Sequence, residues 1–119
     1  MLTIATGSEL LAELKSHFKL VETGQGWPGL SEQRKENRYE LQSGKVPVEV
    51  SSRFGLTSRG LLADVSSNGA RVITDYVPCC GEVLRLAFDV NRDRYVLDGE
   101  VCHVGVEGAI RYFGVQFTE

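Results

Sequence analysis

At 119 residues, with 42% apolar side chains, the chain has the length of one ordinary domain and apolar surface enough for one core. No stretch approaches the roughly 18–20 consecutive apolar residues of a membrane span, and the N-terminus lacks the basic start and apolar run of a secretory signal, so a cytoplasmic protein is expected. The formal net charge of −3 argues against a general binder of nucleic acid or of anionic membranes.

The first element expected is an amphipathic helix over Ser8 to Leu20, because Leu10, Leu11, Leu14, Phe18 and Val21 recur about one turn apart. Thr6 and Glu9 have capping-box spacing, Glu13 lies early, and Lys15 and Lys19 lie late, as the helix dipole prefers. The apolar stripe reads first as core and second as a partner-binding face. Gly24, Gly26, Pro28 and Gly29 surround Trp27, so Thr23 to Gly29 reads as a flexible loop. Ser31 to Tyr39 is charged and unpatterned, which predicts a polar connector ahead of the first strand. Residues 1–30 are therefore assigned to helix and linker, and 31–119 to the main domain.

From Val46 the rhythm changes to that of strands. Val46, Val48 and Val50 alternate with Pro47, Glu49 and Ser51, and further strands are expected near Gly60 to Ser66 and over Ala70 to Thr74. After the Pro78 to Gly81 turn, Leu84, Leu86, Phe88 and Val90 mark one buried face. Tyr95 to Val106 and Ala109 to Phe117 complete the set, with Gly99 a candidate bulge and Phe113, Val115 and Phe117 on one side. Six short strands separated by turn signals predict a small antiparallel barrel, since closure hides the strand edges and one apolar face together.

Cys79, Cys80 and Cys102 form an odd set with two adjacent members, which suits neither a disulfide framework nor a CxxC ligand pair; reduced, partly buried thiols are expected and no metal. His17 falls on the helix and His103 on a strand, and no nucleophile and base can be assembled around either by local geometry. No enzymatic role is expected.

Two short polar signatures carry the functional signal: Arg34-Lys35-Glu36-Asn37-Arg38 and Asp64-Val65-Ser66-Ser67-Asn68-Gly69, separated by the 25 residues Tyr39 to Ala63. Guanidinium groups bond guanine O6 and N7 as a fork, clamp phosphate or stack on a base. A carboxylate is the complementary acceptor for the donors at guanine N1 and N2. Between Arg34 and Arg71 seven bases face four acids, leaving the rest of the chain at −6, a distribution suited to a small anionic ligand rather than a long polyanion. Arg34 and Arg38 are placed on a mobile connector; Asp64 and Ser66 share strand parity; Gly69 is expected to allow a left-handed turn; and Arg71 is a candidate third cation. Asn68-Gly69 is equally a type I′ hairpin signal.

RxxxR followed at this distance by (D/N)xSxxG resembles the PilZ family of bacterial cyclic di-GMP receptors, and Gly114-Val115-Gln116-Phe117 resembles that family's G-V-x-F ending. The resemblance runs from about Gln33 to Thr118. It implies a mainly β fold, a six-stranded antiparallel PilZ-like barrel, here preceded by the N-terminal amphipathic helix, and a site for cyclic di-GMP formed by Arg34, Arg38, Asp64, Ser66 and Gly69; Arg71 lies outside the motif but close to it in sequence. Many relatives carry a C-terminal helix, and the N-terminal helix is the expected cover for the same barrel surface. Relatives with arginine at the position of Gln33 tend to take a stacked ligand pair, so one ligand is expected here. The implied function is a receptor or adaptor without a cofactor that orders its arginine-bearing connector on binding and signals to a downstream protein. The alternatives are an adaptor that does not bind the nucleotide and a small-barrel binder of single-stranded nucleic acid.

Overall fold

The computed structural model describes residues 2–25, 37–41, 44–76 and 78–118. In chain order they form β1 (Leu2–Ile4), α1 (Gly7–His17), β2 (Leu20–Gln25), β3 (Asn37–Leu41), β4 (Pro47–Ser51), β5 (Thr57–Val65), β6 (Gly69–Thr74), β7 (Val83–Val90), β8 (Asp93–Glu107) and β9 (Ile110–Thr118). The last six strands are those expected from the alternation after Val46. They pair in the order β5-β4-β7-β8-β9-β6, and β6 returns to β5, so the ladders close into an antiparallel six-stranded barrel.

Alternation fills the barrel. Val48 and Val50 of β4, Leu84, Leu86, Phe88 and Val90 of β7, and Phe113 and Val115 of β9 are all buried in one cluster with Val72, Val101 and Leu97. Each side chain of this size removed from water contributes on the order of 1.5–3 kcal/mol, which makes this cluster the principal driving force. Leu10 and Leu14 of α1 are fully buried in the same cluster, with Leu11 and Phe18 packed against it. The helix thus plugs the barrel end where β7 finishes and β8 starts; Tyr95, near the start of β8, donates to Glu13 Oε1 at 3.0 Å. The core reading of its stripe is the correct one for these four residues. Its start also follows the sequence: Glu9 N–H donates to Thr6 Oγ1 at 3.2 Å, and Thr6 N–H to Glu9 Oε1 at 2.9 Å.

The N-terminal third departs from expectation in three ways. The helix ends at His17, because Phe18 takes extended backbone while its N–H still closes on Leu14 O at 2.8 Å. Leu20–Gln25, expected as the helix end and a flexible loop, is strand β2 and pairs antiparallel with β3, with an irregular register between Glu22 and Gly24. β3 in turn pairs with β5 through Tyr39↔Val65 and Glu40↔Asp64, so Arg38 belongs to a strand and not to an irregular connector. Non-local pairing supplies these segments with hydrogen bonds that their composition does not announce. β1 adds a short parallel pairing to β8, from Leu2↔Arg94 to Ile4↔Val96. In β8 the register shift falls at Cys102, between Val101 and His103, and not at Gly99.

Candidate functional site

The acid of the second signature is positioned by a bulge. β5 and β6 pair Leu62↔Val72, then Asp64↔Arg71, so Ala63 is the extra residue. Leu62 and Val65 enter the core, and the bulge between them turns Asp64 to the outer face, where Arg71 projects between core residues Ala70 and Val72. On the other flank Glu40 of β3 is the register partner of Asp64. The carboxylate therefore stands between β3 and β6.

Its surroundings are unusual for an acid. The Asp64 side chain has no solvent exposure, and Arg71 Nη2 lies 2.7 Å from Oδ2. By strict hydrogen-bond geometry neither carboxylate oxygen has a partner among the described residues, so the close contact with Arg71 counts as an ion pair. Nε of Arg38, also buried, has no hydrogen-bond partner either. Burial pushes the Asp64 carboxyl above its ordinary range, against the pull of the Arg71 and Arg38 charges, and Glu40 adds to the rise. In a native interior most buried polar atoms are hydrogen-bonded, so a carboxylate held by an ion pair alone and a buried guanidinium Nε without a partner are exceptions that call for a cause.

The turn after Asp64 closes without left-handed residues. Ser66 N–H donates to Gly69 O at 2.8 Å, Asn68 N–H donates to Ser66 Oγ at 3.2 Å, and Phe117 N–H donates to Asn68 O at 2.7 Å. The positive-φ positions among the described residues are Asn91, Arg92 and the glycines at 44, 55, 81 and 108. Gly69 is not one of them, so the expected left-handed turn and the type I′ hairpin are both absent, and Gly69 opens β6 as a buried residue opposite Gln116. The helix start is seated on this turn: a Cβ at Gly7 would strike the Ser67 carbonyl oxygen and the Phe117 ring.

Of the six proposed site residues, five are described, and the fold brings Arg38, Asp64, Ser66, Gly69 and Arg71 to neighbouring positions on β3, β5, β6 and the turn between β5 and β6. Arg34 lies outside the described residues, as do Gln33 and Trp27. Arg71 is not a free cation. Besides its ion pair, its guanidinium carbon stands 5.1 Å from the centroid of the Tyr112 ring, and the His103 ring is 5.6 Å from Tyr112 on the adjoining strand. Tyr112 itself escaped sequence analysis; the available signal was its parity, opposite to the core positions Phe113 and Val115.

Other features of interest lie elsewhere. Two clefts of about 390 and 400 Å³ share Arg85 and Asp98 on the β7–β8 side of the barrel. Cys79 and Cys80 are exposed rather than partly buried, and Cys102 is half-buried with Sγ 3.5 Å from Gly114 O. Among the described residues no three His, Cys, Asp or Glu side chains are grouped to hold a metal ion, and no helix is long and apolar enough to cross a membrane.

A PilZ domain profile matches residues 32–119. Among solved structures the chain is similar to the Bacillus subtilis inhibitor of motility, MotI/DgrA, with a TM-score of 0.54 and 14% identity over 86% of this chain and 57% of that one. At that identity the likeness speaks for the fold, and the chain spans little more than half the length of that protein. Comparison with curated proteins gives no match. With the signatures, the closed six-stranded barrel and a profile match over most of its length, the chain belongs to the PilZ domain family.

Proposed function

We propose that this protein is a cyclic di-GMP receptor that binds its ligand on the outer face of β3, β5 and β6 and passes occupancy to a partner protein in the cytoplasm. The observation that carries the reading is the buried Asp64 carboxylate, held by the Arg71 ion pair but without a well-formed hydrogen bond among the described residues, with the unpartnered Nε of Arg38 on the neighbouring strand. Leaving a buried polar group short of hydrogen bonds costs about 1–3 kcal/mol, and a ligand that presents matching groups recovers part of that cost on binding. Guanine does so through N1–H and N2–H, two adjacent donors facing one carboxylate.

In this reading Arg38 and Arg34 meet phosphate or stack on a base, as the family resemblance implies for its two motif arginines. Ser66 and the backbone at Gly69 form the near wall, with the Ser66 hydroxyl already fixed by Asn68 N–H at 3.2 Å. Gln33 offers neither charge nor a stacking plane, which favours one ligand per site. Arg34 sits on the segment 26–36 that joins β2 to β3, so its engagement is the proposed way in which binding orders the arginine-bearing segment. Because Gly7 is packed on the Ser67 carbonyl, the same event is transmitted to α1.

Calorimetric titration with cyclic di-GMP, cyclic di-AMP and a short oligonucleotide, at two salt concentrations, tests this reading. Saturable binding of cyclic di-GMP near one ligand per protein, with clear preference over cyclic di-AMP, is the expected result. Absence of binding would instead make the domain an adaptor acting through protein contacts alone. Preference for the oligonucleotide with a steep salt dependence would make it a single-strand binder.

A further inference from the structure

Resting on the reading just given, we infer that Arg71 is a positioning residue: seated on Tyr112 and paired with Asp64, it keeps the carboxylate ionised and aimed at the ligand's donors without touching the ligand itself. A chain of contacts runs across four strands. Gly105 of β8 and Tyr112 of β9 are register partners, and a Cβ at Gly105 would run into the Tyr112 ring, so the absence of a side chain there gives the ring its seat on the sheet. Arg71 of β6 lies over that ring at 5.1 Å, which holds the guanidinium in one place. From there it reaches Asp64 Oδ2 at 2.7 Å while about a quarter of its own side chain stays exposed, whereas Asp64 is wholly covered.

An acid with no water around it would tend to hold its proton, and a protonated Asp64 would turn a donor toward guanine N1–H. The charges that face it are Arg38 and Glu40 from β3 and Arg71 from β6. Arg71 and Arg38 both pull the carboxyl down, and Glu40, the weakest of the three, pushes it up. Arg71 is the largest of the influences that hold the carboxyl down against burial. An arginine committed to both a ring and a carboxylate is poorly placed to reach a phosphate, which separates its role from that of Arg38.

The test uses the whole chain with Arg71→Gln and Arg71→Lys, following the Asp64 carboxyl by carbon NMR without ligand and cyclic di-GMP affinity across a pH series. Expected for Arg71→Gln is a further rise in the Asp64 midpoint, with roughly tenfold weaker binding at neutral pH that worsens toward acid and an unchanged salt slope. Arg71→Lys should restore most of the midpoint. If Arg71→Gln does not fold, Tyr112→Leu retains both charges but removes the seat, and should shift the midpoint in the same direction by less. An unchanged Asp64 midpoint overturns the inference, as does a pH-independent loss of affinity with a shallower salt slope, which would mark direct contact with phosphate. Failure of the unsubstituted protein to bind cyclic di-GMP would sink the receptor reading alone, since the ligand-free midpoint still tests Arg71.

Discussion

Replacing Asp64 by asparagine separates base recognition from simple attraction, because the two make opposite predictions. The substitution keeps the shape and removes one negative charge from a region bearing Arg38 and Arg71. If the dianionic ligand were merely drawn to positive charge, affinity would rise. If the carboxylate accepts from guanine N1–H and N2–H, the amide keeps one acceptor and sets its own donors against the other, losing at least one charge-assisted bond. Such a bond is worth roughly 1.5–3 kcal/mol, or about tenfold to 150-fold in Kd. Selectivity over cyclic di-AMP should fall with it, since adenine lacks the paired donors. Stability should move the other way. The Asp64 carboxyl lies above its ordinary value of 3.8 in the folded protein, so the folded state holds that proton more tightly than the unfolded one. Its contribution to stability is fully present below about pH 3.8 and is lost as pH rises through the folded-state value. The variant, having no proton to lose, should therefore gain stability relative to the unsubstituted protein as pH is raised toward neutrality. Calorimetry for affinity and thermal melts across pH provide the two readouts. Wild-type or tighter affinity in Asp64→Asn would refute base readout, and a relative stability that falls with rising pH would refute the burial argument.

Further substitutions test the rest of the arrangement. Arg38→Ala should weaken cyclic di-GMP at least tenfold, the loss of one charge-assisted contact, with little change in melting temperature because its buried Nε has no hydrogen-bond partner among the described residues. Unchanged affinity would remove Arg38 from the site. Gly7→Ala drives a Cβ into the Ser67 carbonyl and Phe117, so it should cost roughly 1–3 kcal/mol in urea denaturation and also reduce ligand affinity through the displaced turn. A stability loss without any effect on affinity would show that the helix start and the ligand turn are not coupled. Leu14→Ala, at a position with no solvent exposure, should cost about 2–5 kcal/mol. A loss below about 1 kcal/mol would mean that α1 is not part of the barrel core.

The barrel was legible from Val46 onward because each strand buries one face, and strict alternation is what a half-buried strand requires. The helix was legible for a related reason, Leu10 and Leu14 being one turn apart. β3 was obscured by its charges. Tyr39 and Leu41 pack against the core and alternate with Arg38 and Glu40, but two apolar residues beside Arg34 to Arg38 read as polar connector. β1 offers only three residues, too few for any period to show. At the site, the signatures named candidate residues but not their environment. The Ala63 bulge depends on pairing with β6 and has no local marker. Without it neither the burial of Asp64 nor its ion pair with Arg71 follows from spacing, and Arg71 reads as a spare cation. Likewise Asn68-Gly69 suggested a left-handed turn that the hydrogen bonds of Ser66 and Phe117 make unnecessary.

The location of the site is open to one direct measurement, amide chemical-shift mapping of the labelled protein during titration with cyclic di-GMP. Binding across β3, β5 and β6 predicts the largest shifts at Arg38 to Glu40, Asp64 to Ala70 and Arg71, with a smaller response at Gly7 where α1 meets the turn. Shifts concentrated instead around Arg85 and Asp98 on the opposite side of the barrel, or no shifts at saturating ligand, would contradict it.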